Sequence, residues 1–149
     1  MRSIFEDHTC KELLERLEAL KEDAVPQWGT MNVGQMLAHC QAPLEVGLGH
    51  STLTRVSFIK RWIFGLFKAS LYNDKPWKKN LRTAPEYKIT DKRDFLVEKS
   101  KLKLLIEEFH AAKHRKNWPV HPYFGEFTPE QWGKLEYKHL DHHFRQFNV

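Results

Sequence analysis

Apolar positions recur at helical spacing along most of the chain, and no alternation of the strand kind persists for more than a few residues. Thr9 with Glu12 reads as a capping box, opening a helix to about Lys21 with Leu13, Leu14, Leu17 and Leu20 on one stripe. A connector holding Pro26 and Gly29 follows. Asn32 with Gln35 then opens a second helix faced by Val33, Met36, Leu37, Cys40 and Leu44, in which Pro43 predicts a kink or a break. Thr54–Leu71 predicts a third helix that is apolar nearly all round, with Phe58, Trp62, Phe64 and Phe67 unable to share one stripe. Residues 73–89 contain Pro76 and Pro85 and lack a period, which predicts a long loop of the kind that often carries function. Thr90 or Asp91 opens a fourth helix to about His114. Thr128, Pro129 and Gln131 give the sharpest start signal in the chain, for a last helix reaching the C-terminal residues. Helices without a sheet predict an all-α fold, a bundle whose facing helices supply any site.

The last helix carries the most informative residues. His139 and His143 stand four apart, so both project from nearly one side. With Trp132 at zero and about 100° per residue, His139 falls near about −20° and His143 near about +20°, between Leu135 and Phe147. Lys134, Lys138, Asp141 and Arg145 fall on the other side. The two imidazoles therefore point into the core, where they need partners. Those partners are either carbonyls and carboxylates, as for any core histidine, or a metal ion. A third imidazole from another helix would leave an open position, as a catalytic metal requires. His39 lies at the edge of the second helix's apolar stripe and is the candidate. His110 and His114 have the same spacing but lie off their helix's apolar face beside Lys113 and Arg115, as a solvated pair suited to a helix C-terminus. His142 adjoins the late pair, while His8 and His50 carry no pattern.

Composition narrows the field. The chain has 149 residues, 41% hydrophobic and 13% aromatic, enough for one folded domain with a single core. Lys and Arg number 24 against 19 Asp and Glu, and the net charge of +5 is spread along the sequence, which favours anionic small molecules without requiring nucleic acid. The run KPWKKN is the only stretch that resembles a nucleic-acid contact, and it is too short to carry that function. Two cysteines, Cys10 and Cys40, make no disulfide framework. The richest apolar run, residues 56–71, is interrupted by Lys60, Arg61 and Lys68, so no membrane span and no membrane partner are expected. No secretory signal precedes Glu6, and the cytoplasm is the expected compartment.

The segment MNVGQMLAHC, the run FTPEQWGKLEYKHLDHHFRQF with its histidine pair followed by Gln, and the stretches VHPYFGEFTPEQW and KNLRTAPEY together resemble the DinB-like superfamily, in one of its uncharacterised branches. The resemblance spans most of the chain and rests on the histidine order, one early and two late. It implies a four-helix bundle, here with an additional helix or long loop, often dimeric, and a divalent metal held by His39, His139 and His143. It also implies thiol-dependent transferase chemistry in some members, and hydrolase or isomerase activity in others. His142 and Gln146 are then candidates to support the ligands from behind.

Two functions are carried forward. In the first, a metal-dependent enzyme uses the ion to acidify a small-molecule thiol or a water, with Lys78, Lys79 and Arg82 as candidate contacts for an anionic ligand and an electrophile as second substrate. Those three cations read equally as a solvated face. In the second, the chain is a non-catalytic metal-binding or stress-related module. Imidazole ligands suit zinc, nickel, iron and manganese alike. The crowded aromatics of residues 54–71 predict a homodimer through that helix, unless the loop at 73–89 folds back over them.

Overall fold

Thr128 and Gln131 cap each other reciprocally, side chain to backbone, and Pro129 occupies the first helical position, so the last helix starts where its sequence predicts. The same reciprocal box, Asn32 with Gln35, starts the second. In the computed structural model, which describes residues 1–51 and 56–149, five α-helices are present and no strand occurs among the described residues. They are α1 (Asp7–Ala19), α2 (Val33–Leu48), α3 (Phe58–Gly65), α4 (Phe95–Ala111) and α5 (Pro129–Gln146). Short 3-10 turns follow at Lys68–Leu71, Pro85–Tyr87 and Ala112–His114.

Four of these helices pack in a closed circuit. α2 lies against α4 and α5, and α1 lies against the same two. The interior is filled by Leu13 and Leu17 of α1, Met36, Leu37 and Leu44 of α2, Leu102, Ile106 and Phe109 of α4, and Trp132, Leu140 and Phe144 of α5, all fully buried. α2 can approach so closely because of Gly47: a Cβ there would sit 2.6 Å from the Phe109 ring and 3.2 Å from Trp132.

Several boundaries differ from the sequence reading, each for a local reason. α1 begins at Asp7, not at Thr9, and Thr9 is fully buried within it. Its hydroxyl donates to the Glu6 carboxylate at 2.9 Å, which also accepts from the Ser3 amide, so Glu6 rather than Thr9 stands at the N-cap position. Pro43 does not break α2, which continues to Leu48. The proline removes the amide that would reach the His39 carbonyl, but Leu44, Val46 and Leu48 beyond it are buried and hold the last turns down. α4 is capped by Asp94, whose carboxylate accepts from the Val97 amide at 3.0 Å; the run TDKRD offered three acceptors, and the third is used. The α-helical part of the third segment is shorter than predicted, because Gly65 ends it and a 3-10 turn follows; the predicted start at Thr54 lies outside the described residues.

Candidate metal centre

α2 and α5 pack face to face, and their shared side brings the one early and two late histidines together. His39, His139 and His143 are all buried, and each offers a nitrogen such that the three atoms lie within 4.8 Å of one another. The ring centroids are 4.7–5.1 Å apart and the rings meet edge to face. His39 Nε2 and His139 Nε2 approach to 3.2 Å.

The hydrogen bonds behind the rings decide what the inner nitrogens can do. His39 Nδ1–H donates to the Tyr87 carbonyl at 2.8 Å, which leaves the lone pair on Nε2. His143 Nδ1–H donates to Gln146 Oε1 at 2.8 Å, with the same consequence. The Gln146 amide is itself oriented, because its Nε2 donates to the Trp28 carbonyl at 2.6 Å and so fixes Oε1 as the acceptor. That anchor needs Gly29, where φ is +79° and a Cβ would stand 2.7 Å from Gln146 Nε2. His139 Nδ1 is buried without a partner. Carbonyl and amide partners of this kind are what orients imidazoles around a metal.

The residues fit a divalent ion on three counts. Bonds of about 2.0–2.1 Å at a tetrahedral angle place two ligating nitrogens about 3.3 Å apart, close to the separation of the facing Nε2 atoms. Burial pushes His39 down, His139 well down, and His143 to about 3, so all three stay neutral and able to ligate. Without an ion, a 3.2 Å contact between two imidazole nitrogens satisfies one lone pair at most.

The open side of the triad faces a cavity of about 500 Å³. Its wall is largely apolar and aromatic, including Phe64, Leu71, Trp77, Tyr123 and Leu135. Among the polar groups that interrupt it, two are buried without a hydrogen-bond partner. Glu136, one turn before His139, is fully buried with neither carboxylate oxygen hydrogen-bonded, and desolvation raises it to about 8. The Tyr87 hydroxyl is also buried and unpartnered, and burial, then the nearby Glu136 charge, pushes it up. His121, pushed down to about 4 by burial, lines the same space; its Nδ1 accepts from the Tyr123 amide at 3.1 Å. The Tyr123 hydroxyl donates to Glu86.

The other candidates are distributed as follows. Gln146 supports His143 directly. His142 packs against Trp28 and Trp77 and lines the cavity, but makes no hydrogen bond to a ligand. Arg82 stands at the cavity wall. Lys79 lies 4.7 Å over the Trp28 ring and lines a second cavity, and Lys78 is exposed and lines neither. His110 is not solvated as its wheel position predicts: Nδ1–H donates to the Ile4 carbonyl at 2.8 Å and Nε2 pairs with Asp7 at 3.2 Å. Lys138 is also buried, because residues 70–73 fold over it and supply two carbonyls and the Asn73 side chain to its ammonium at 2.8–2.9 Å.

Glu136, Tyr87 and His121 were missed by the sequence reading. For Glu136 a signal existed: on the wheel of α5 it falls near about +40°, beside His143 and inside the apolar stripe. Tyr87 ends a short 3-10 turn and His121 lies between α4 and α5, and no local pattern reveals their approach to α2 and α5.

A family model described as "Protein of unknown function (DUF1569)" matches residues 4–149. No curated protein and no solved structure matches the chain.

Proposed function

The chain belongs to the DUF1569 family of unknown function, and on the site above we propose that it is a divalent-metal-binding four-helix bundle of DinB-like type that acts as a metal-dependent enzyme on small molecules, in the manner of a low-molecular-weight-thiol transferase. The observation that carries this reading is the convergence of three neutral imidazoles, two locked by their outer nitrogens, at the wall of a cavity large enough for a small substrate. The packing circuit of α1, α4, α2 and α5 supports the bundle.

His39, His139 and His143 would hold the ion. When bound, the metal supplies acidification of a thiol or a water that reaches its open side. The thiol comes from outside the chain, since Cys10 and Cys40 are both buried and neither lines the cavity. The Cys40 thiol is further inactivated, pushed well up by burial and directed at the Met36 sulfur. Glu136 holds a proton in the cavity wall at neutral pH, where it can give or take a hydrogen bond, and Tyr87 adds a hydroxyl. Arg82 faces the anionic end of a ligand, and the aromatic wall excludes water from the reacting atoms. A non-catalytic metal-binding or stress-related module is the second reading.

The test is elemental analysis of purified protein followed by a thiol-conjugation screen against electrophiles, with and without a chelator. Metal-dependent conjugation that the chelator abolishes supports the enzyme. A stoichiometric metal with no conjugating or hydrolytic activity supports the binding module.

A further inference from the structure

α3 turns its apolar side away from the protein. Phe58, Ile59, Trp62, Ile63 and Leu66 form one stripe about 140° wide on the helix wheel, and Phe67 adjoins its edge. Phe58 is 74% exposed and Trp62 66%, and no residue of α3 is buried. The loop at residues 73–89 does not cover the stripe. Only Phe64, on the opposite side of the helix, packs inward, edge-on to Tyr123 and Phe124. So large an unpaired apolar face on a small domain marks a docking surface.

Charge decides the occupant. Between Glu45 and Asp74 the sequence has no acidic residue, while it carries Arg55, Lys60, Arg61 and Lys68. Lys68 is committed inward, donating to the Glu126 carbonyl and lying 4.4 Å over the Phe127 ring. Lys60 and Arg61 fall on either flank of α3, each about 130° from the centre of the apolar stripe. No salt bridge engages them among the described residues. Aromatic and aliphatic residues on the outer side with cations at both flanks form the pattern of a helix lying in a membrane interface, where the rings enter the acyl boundary and the cations meet headgroups. A second copy fits less well. A two-fold contact through the stripe would leave the same cations with no acid to answer them, and an eight-residue helix, about 12 Å long, is small against the roughly 800 Å² per partner of a standard interface.

We infer that α3 docks the protein on an anionic lipid surface, with the Phe58–Leu66 stripe inserted at the level of the headgroups. The absence of a spanning helix among the described residues does not bear on this, because a helix lying in the interface need not span.

The experiment is co-sedimentation of the full chain with vesicles of phosphatidylcholine alone and with about a third phosphatidylglycerol, at low and high salt. The protein is expected to sediment with the mixed vesicles, to stay in solution with phosphatidylcholine, and to be released as salt rises. The double substitution Phe58→Ser with Trp62→Ser, at positions that touch no core, is expected to weaken partition by about tenfold or more. Unchanged partition of that variant overturns the inference. So does a wild-type protein that stays in solution with the mixed vesicles, including one that proves by light scattering to be a dimer which the same double substitution dissolves.

Discussion

Replacing Glu136 by Gln removes an ionisable proton and keeps the shape, and the structure fixes the sign and size of the effect. In the folded chain the carboxyl has no hydrogen-bond partner and is raised from 4.5 to about 8 by desolvation alone. Unfolded, it ionises at its ordinary value. Between those two values the native state binds the extra proton, so this group's contribution to stability falls as pH rises. The penalty is absent below the unfolded value, grows by about 1.4 kcal/mol per pH unit above it, reaches ~3 kcal/mol at about pH 7, and levels off near ~5 kcal/mol above about pH 8. Glu136→Gln does not titrate and escapes the penalty. Urea unfolding of both proteins, freed of metal with a chelator, should therefore show equal stability near about pH 4.5 and a variant more stable by ~3 kcal/mol near about pH 7. A difference that is constant with pH, or a variant less stable at about pH 8, would refute the description of Glu136 as a neutral, unpartnered carboxyl. If the variant gains stability and loses activity, the carboxyl is held in the wall for its chemistry.

Three further outcomes follow from the same geometry. His143→Ala should bind no metal yet keep its helical circular dichroism, because Trp132, Phe109 and Phe144 form a core that does not depend on the triad; a wholly unfolded variant would make the site structural. Gln146→Ala, which frees the His143 ring, should weaken metal affinity by about 10–100-fold in a competition titration, and an unchanged affinity would remove Gln146 from the site. With the opposing carboxyl removed as Glu136→Gln, acid should destabilise the metal-free protein: His39, His139 and His143 are lowered on folding, so the unfolded state takes up protons first and stability is lost as pH falls from about 6.5 towards the folded value of about 3 for His143; a urea-unfolding free energy that does not fall between about pH 6.5 and about pH 4 would contradict this.

The late histidine pair was legible because α5 has clean signals at its start and a clean period along its length, so a wheel places His139 and His143 on the buried side without tertiary information. His39 was less so: it sits at the edge of its stripe, and its inward turn is secured by the Tyr87 carbonyl, 48 residues away. Tyr87 is hidden by the same separation, and His121 by its place in a segment without a helical period. Lys138 shows the converse failure, since a lysine on the polar side of a helix is buried when a 3-10 turn and Asn73 supply its three hydrogen bonds. Helix starts were read well where two capping residues agree, at Asn32 and Thr128, and displaced where several acceptors compete, at Thr9 and Asp91.

The central claim is that one divalent ion is held by His39, His139 and His143. X-ray absorption spectroscopy of the metal-loaded protein, at one equivalent per chain, tests it directly. The expected spectrum has about three imidazole nitrogens at roughly 2.0–2.2 Å with light-atom ligands completing the shell, and the imidazole signal falls when His39 is replaced by Ala. A sulfur ligand, a shell without imidazole, or an imidazole count unchanged by His39→Ala would contradict it.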